Sequence, residues 1–107
     1  MEEYEGFWTV QFQGRNGAVV VLTKGKIFGG DSGHTFTGSY EGDSSIKARV
    51  LVQNFVPGVP NVMGRHGNFE LEFTGTVSGD TMNATANLVG QPSQTLTARL
   101  TRKATLP

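Results

Sequence analysis

Hydrophobic and polar residues alternate with a period of two along most of the chain, whereas helical spacing is rare. Between residues 68 and 77, for example, Phe69, Leu71 and Phe73 alternate with glutamate and threonine. Such alternation predicts β-strands with one buried face. Short segments rich in Gly, Asn, Asp and Ser, typical of tight turns, separate the alternating segments. The pattern predicts eight strands, over residues 6–13, 18–23, 26–30, 34–41, 46–56, 68–77, 81–89 and 94–102.

Consecutive strands joined by short turns, with no helical crossover, predict an all-β protein in which neighbouring strands are antiparallel. The 107 residues predict a single domain, residues 1–107. Closure of the sheet would remove its exposed edges. We therefore expect an eight-stranded antiparallel up-and-down β-barrel of the lipocalin or calycin type. A two-layer β-sandwich is the alternative that local patterning leaves open.

The segment Gly6-Phe7-Trp8 resembles the Gly-x-Trp start of lipocalins, in which an arginine on the last strand packs across the tryptophan. Arg102 has the same strand parity as the inward residues of the eighth predicted strand. The expected contact is a cation–π interaction between Arg102 and Trp8. The simpler alternative is a buried tryptophan with an unrelated surface arginine.

The predicted inner faces combine large and small residues, and this mixture is compatible with two kinds of barrel interior. Either the side chains interdigitate and fill the barrel, or the small residues leave an apolar pocket for a lipid or aromatic ligand. The small inward residues are Gly38, Ala48, Gly75, Ala84, Ala86 and Ala98. The residues predicted to line a pocket are Trp8, Phe12, Phe36, Tyr40, Val50, Phe69, Leu71, Phe73 and Met82.

The second predicted strand is apolar on both faces, with the run Ala-Val-Val-Val-Leu at residues 18–22. A strand of this kind is buried on both sides or covered by a partner. Val19 and Val21 are the candidate dimer residues, because they share the face opposite the predicted core.

Composition and charge narrow the classes of function. Nine basic and nine acidic residues give a formal net charge of zero, which argues against direct nucleic-acid binding. The chain has no cysteine, and no apolar run approaches the roughly 20 residues of a membrane-spanning helix. Its acidic first residues differ from the basic start of a signal peptide. We expect a cytoplasmic protein that does not bind a membrane.

Candidate catalytic and metal-ligating residues are few. His34 and His66 lack the spacing of a metal site, and we expect each to be solvated or hydrogen-bonded. Glu70 and Glu72 share one strand face, but exposed carboxylates on a barrel wall are ordinary. The glycines do not form a phosphate-binding loop. The sequence therefore predicts a protein that is not an enzyme and uses no metal or cofactor.

Several segments resemble one family, the GrlR-like negative regulators of type III secretion in enteric pathogens. These are the Gly-x-Trp start, the apolar second strand, and Lys-Gly-Lys-Ile-Phe-Gly-Gly-Asp at residues 24–31 with Gly38 and Tyr40 following. The likeness continues through residues 46–55 and Val-Pro-Asn-Val at residues 59–62. It implies an eight-stranded barrel, a homodimer, and regulation by sequestering a transcriptional activator rather than by touching DNA.

The family's acidic Glu-Asp-Glu-Asp run is reduced here to two acids. The candidate partner-binding residues at that position are Glu41, Asp43, Ser44 and Ser45. We therefore expect a regulatory binding protein that acts by protein–protein sequestration. The alternative is a barrel that binds a small hydrophobic ligand.

Overall fold

The computed structural model describes residues 4–12, 15–42, 45–58 and 68–106. Within these residues eight strands form a closed barrel in which each strand pairs antiparallel with the next and β8 pairs with β1. This confirms the all-β up-and-down barrel and excludes the sandwich. The strands are β1 (Gly6–Phe12), β2 (Arg15–Thr23), β3 (Lys26–Gly30), β4 (His34–Gly42), β5 (Ile46–Asn54), β6 (Phe69–Ser78), β7 (Thr81–Leu88) and β8 (Gln91–Ala104).

Inward side chains of all eight strands form one hydrophobic core. Trp8, Tyr4 and Leu71 are among its most deeply buried large side chains. Each large apolar side chain that is fully buried contributes about 1.5–3 kcal/mol. The alternation seen in the sequence therefore supplies the main stabilising term. No helix in the described ranges is long and apolar enough to cross a membrane.

Two predicted turns are strand in the structure. β2 begins at Arg15, which pairs with Phe12, so the predicted turn at Asn16 and Gly17 is wrong. β8 begins at Gln91, which pairs with Leu88, so the predicted turn over residues 90–93 is also wrong in part. In both hairpins the register shifts next to these pairs. These local irregularities extend the strand pairing into Asn-Gly and Gln-Pro, two dipeptides that are typical of turns.

Gly38 marks a close approach of the β4 and β5 backbones. It lies opposite Val50, and a Cβ on it would collide with the backbone carbonyl of Arg49. A glycine on the inner face of a strand was expected to mark a bend or a close approach, and the structure shows a close approach.

Arg102 covers Trp8 as predicted and ties three parts of the chain together. Its guanidinium carbon lies 4.6 Å from the centre of the indole ring. The same group donates hydrogen bonds to the carbonyl oxygens of Glu5 and Gly79, each at 2.8 Å, and to Asp80 Oδ1 at 2.9 Å. A cation–π contact is worth about 0.5–2 kcal/mol, and hydrogen bonds from a charged donor add more.

Tyr4 and Glu5, which precede β1, cover the same end of the barrel. Trp8 Nε1 donates to the carbonyl oxygen of Tyr4 at 3.0 Å. The Tyr4 ring meets the Tyr40 ring edge-on, with 6.0 Å between ring centres. The backbone N–H of Lys24 donates to Glu5 Oε2 at 2.8 Å. Because Tyr4 and Trp8 are fully buried, this end is closed by side chains.

Gly6→Ala is expected to lower the free energy of unfolding by about 2 kcal/mol more than Gly17→Ala. Both glycines have positive φ, 149° and 131°, so both alanine variants carry backbone strain. A Cβ on Gly6 would lie 2.7 Å from Arg102 Cδ, whereas a Cβ on Gly17 meets nothing within 4 Å. Urea denaturation of the two variants measures the difference.

The additional loss of unfolding free energy caused by Gly6→Ala should be smaller when Arg102 is also replaced by alanine. The new Cβ then has no arginine side chain to displace. Equal costs for Gly6→Ala and Gly17→Ala would show that Arg102 does not require the glycine.

Candidate functional site

The barrel interior holds a cavity of about 70 Å³. The described residues that line it come from β1 to β8, and all except Asp31 have apolar side chains. Seven of the nine residues predicted to line a pocket do so: Phe12, Phe36, Val50, Phe69, Leu71, Phe73 and Met82. An engineered cavity of about 150 Å³ is sufficient for benzene. The space here is about half as large, so side chains fill most of the interior.

The other two predicted lining residues have structural contacts elsewhere. Trp8 lies under Arg102, and Tyr40 packs against Tyr4 at the closed end. Among the small inward residues, Ala48 and Ala84 line the cavity. Each remaining small residue has a larger cross-strand neighbour on at least one side, and such interdigitation fills a barrel of this size. The pairs are Gly38 with Val50, Gly75 with Ile46, Ala86 with Phe73 and Ala98 with Phe12.

Tyr40 carries a buried hydroxyl that has no hydrogen-bond partner in the described part of the chain. Burial raises the pKa of this hydroxyl above its ordinary value of 10.0, and the negative charge of Glu5 adds to the increase. The backbone N–H of Gly25 acts in the opposite direction without completing a hydrogen bond. Tyr40 is therefore an acid that the folded state keeps protonated.

Asp31, His34 and Asn54 form a hydrogen-bonded cluster where β3 turns into β4. Asp31 Oδ1 accepts from the Gly33 N–H at 2.9 Å and lies 3.0 Å from His34 Nδ1. His34 Nε2 lies 3.3 Å from Asn54 Nδ2, which also donates to the Gly33 carbonyl oxygen. A carboxylate accepts only and Asn Nδ2 donates only, so the proton of the neutral imidazole is on Nδ1.

This cluster is structural, because it joins the β3–β4 turn to the end of β5. His34 is only 1% exposed and both of its ring nitrogens have partners, which confirms the hydrogen-bonded histidine expected from the sequence. Asn54 was not predicted, because the fifth predicted strand runs to residue 56, whereas β5 ends at Asn54. The backbone N–H of Asn54 donates a hydrogen bond to Asn68 Oδ1 at 3.0 Å. His66 lies outside the described residues.

Metal-ligating side chains do not converge in the described ranges. No group of three or more His, Cys, Asp or Glu side chains there is placed to hold a metal ion.

The outer surface of β1, β2 and β3 carries a row of apolar side chains. Phe7 lies directly opposite Val21, and Val21 lies directly opposite Phe28. Val19, two residues along β2, lies opposite Gly30, which has no side chain. Phe28 is 53% exposed, Phe7 and Val19 are each 39% exposed, and Val21 is half-buried. We call Phe7, Val19, Val21 and Phe28 the β1–β3 face.

The prediction that β2 is buried on both sides is wrong for the single chain. Ala18, Val20 and Leu22 point into the core, but the outward valines reach the surface. The second predicted alternative, a strand face covered by a partner, stays a prediction.

The remaining outer wall is mainly polar, although Leu51, outward on β5, and Phe55, just after β5, are exposed as well. On β4 to β6, Glu41 lies opposite Lys47, and Arg49 forms an exposed ion pair with Glu72 at 3.5 Å. On β6 to β8, the outward positions are mainly threonine and asparagine: Thr74, Thr76, Thr81, Asn83, Thr85, Asn87, Thr95, Thr97 and Thr101. The described chain thus has an apolar, a charged and an uncharged polar side.

The predicted partner-binding residues are only partly described. Glu41 and Ser45 are exposed, whereas Asp43 and Ser44 lie outside the described residues. Tyr40, next to Glu41, donates its N–H to the Gly25 carbonyl oxygen at 2.9 Å. Glu41 therefore lies near the β2–β3 turn, at the closed end of the barrel.

The fold and the surface define a small closed antiparallel barrel with a nearly filled interior and one apolar outer face. No protein-family model matches the chain, and no curated protein matches it in sequence. The resemblance to the GrlR-like family therefore rests on the residues named above and stays a prediction.

Tyr40→Phe is expected to flatten the fall in stability at alkaline pH. Because the folded-state pKa is raised, this tyrosine does not change the pH dependence below about pH 10. As pH rises from there through the folded-state pKa, stability falls, because the unfolded chain loses the proton more readily. The free energy of unfolding of the wild type should therefore fall more steeply above pH 10 than that of the variant. Urea denaturation between pH 7 and pH 11 measures both curves.

At neutral pH the same variant should be at least as stable as the wild type, because it removes a buried hydroxyl with no partner. Other titrating groups are common to the two proteins, so the difference between their curves isolates Tyr40. Parallel curves above pH 10 would contradict the assignment.

Proposed function

We propose that this protein is a non-enzymatic regulatory binding module that uses the β1–β3 face to form protein–protein contacts. The observation that carries the proposal is the direct cross-strand register of Phe7, Val21 and Phe28, with Val19 beside them. Side chains directly opposite on neighbouring strands lie about 4.5–5.5 Å apart between Cβ atoms. The four side chains therefore act as one contiguous apolar patch.

Exposed apolar surface of this kind has a free-energy cost in water. Burial of apolar area contributes about 25 cal/mol per Å², and a phenylalanine at 53% exposure keeps a large part of its ring in solvent. Contiguous apolar patches rimmed by polar residues are typical of interaction sites. Here the polar rim consists of Thr9, Thr35 and Thr37, which lie beside the patch in the strand register.

A second copy of the chain is the first occupant that we propose. The formal net charge is zero, so little electrostatic repulsion opposes association. A two-fold dimer needs one self-complementary patch on each subunit. An apolar patch in which Gly30 adds no side chain opposite Val19 fits this requirement.

A transcriptional activator, held by sequestration, is the second proposed partner. This part of the proposal is supported by the resemblance to the GrlR-like regulators. Balanced charge argues against direct binding to nucleic acid, and sequestration needs only a protein surface. Glu41 and Ser45 are the described acidic and polar residues through which the activator would be recognised.

Binding of an apolar ligand is the alternative function. The apolar surface of the cavity supports ligand binding. The small cavity volume, about 70 Å³, gives ligand binding weaker support. A lipid chain needs far more space than a site that is too small for benzene. Protein binding is therefore the function that the geometry favours.

Phe28→Glu is expected to convert the dimer into a monomer at tens of micromolar, because burial of an unpaired carboxylate in an apolar interface is strongly unfavourable. Thr97→Glu is the matched control, since it adds the same charge to an exposed position on β8. The wild type and the control should remain dimeric in analytical ultracentrifugation. Thermal unfolding checks that both variants fold.

A monomeric wild type at these concentrations would overturn the proposed dimer. So would a Phe28→Glu variant that sediments with the wild-type mass.

Affinity purification from the native organism tests the proposed partner. We expect the wild type and Thr97→Glu to enrich a DNA-binding transcriptional activator, and Glu41→Lys to enrich it less because the charge at the contact is reversed. Quantitative mass spectrometry measures the ratio between variants. Recovery of no transcription factor, or equal recovery with Glu41→Lys, would contradict the assigned partner or its contact.

A further inference from the structure

Among the described residues, Asp31 is the one polar residue that lines the internal cavity. It contributes hydrocarbon to the wall, and no polar atom of the described lining faces the space. The carboxylate of Asp31 instead bonds with the Gly33 N–H and the His34 ring. The cluster at the β3–β4 turn thus removes the one charge that would otherwise attract water or a cation.

Water gains little by entering such a space. A buried water molecule makes about three hydrogen bonds, and a stable site supplies two to four polar partners. The cavity of about 70 Å³ has the volume for water but none of these partners. Its described lining therefore offers water no hydrogen-bond partner, and the side chains around it lack contacts on one side. An apolar occupant would restore those dispersion contacts.

We propose that the barrel interior is a binding site for compact apolar molecules of about the size of a xenon atom. The volume sets an upper limit on ligand size, and the hydrocarbon wall selects against polar molecules. Fatty acids and benzene are excluded as long as the lining side chains keep their positions. This site goes beyond the protein-binding function and does not depend on the β1–β3 face.

Xenon is the probe, because it is apolar, nearly spherical and chemically inert. Under xenon pressure, the methyl signals of Ile46, Val50 and Leu100 should shift in a ¹H–¹³C correlation spectrum, since all three line the cavity. Methyl groups on the β1–β3 face should not shift to the same extent. Sodium decanoate should leave the lining methyl signals unchanged.

Val50→Ile is expected to weaken xenon binding about tenfold, because an added methylene in a small apolar pocket costs affinity of this order. Val20→Ile is a second filling variant, since Val20 also lines the cavity. Val77→Ile is the matched control: Val77 packs against the core but lies outside the cavity wall. Melting curves show that each variant folds.

Met82→Ala should enlarge the site and allow benzene to shift the same methyl signals, while the wild type gives no such shift. The proposal is overturned if xenon shifts are spread over the surface, or if both filling variants bind xenon as well as Val77→Ile does. A decanoate-induced shift in the wild type would overturn the size limit.

Discussion

The ladder between β1 and β8 joins the two ends of the chain, and both the enclosed interior and the separate outer faces depend on it. The contact between Glu5 and Arg102 spans 97 positions in sequence, so closure carries an entropic cost of about 4 kcal/mol. Arg102 offsets part of this cost through the two contacts that it makes with the β1 side, the Trp8 ring and the carbonyl oxygen of Glu5. Gly6 leaves the space through which the arginine passes.

The two ends of the barrel are secured by different chemistry. At one end Arg102 covers the Trp8 ring, and Tyr4 packs edge-on against Tyr40. At the other, Asp31 and Asn54 hold the buried His34 through both ring nitrogens. Buried polar groups are costly when unpaired and specify geometry when paired. The second arrangement fixes the β3–β4 turn against β5 and keeps the Asp31 carboxylate out of the cavity.

With the interior almost filled, the outer wall offers most of the surface available for recognition. Its apolar, charged and threonine-rich sides follow one another around the barrel, so partners of different chemistry would approach from different directions. The apolar side is the least compatible with water. This distribution favours a binding module over a carrier, because a carrier needs internal volume whereas a binding module needs a surface.

The sequence alone determined the strand number, the barrel class, the Arg102–Trp8 contact and most of the cavity wall. These depend on period-two alternation and strand parity, which are local properties of the chain. Tertiary structure decided the size of the cavity, the extension of β2 to Arg15, the role of Asn54 and the alignment of Phe7, Val21 and Phe28. These depend on the register between strands and on how closely side chains pack across the barrel. A single strand's pattern contains neither quantity, because both arise only when the sheet has closed.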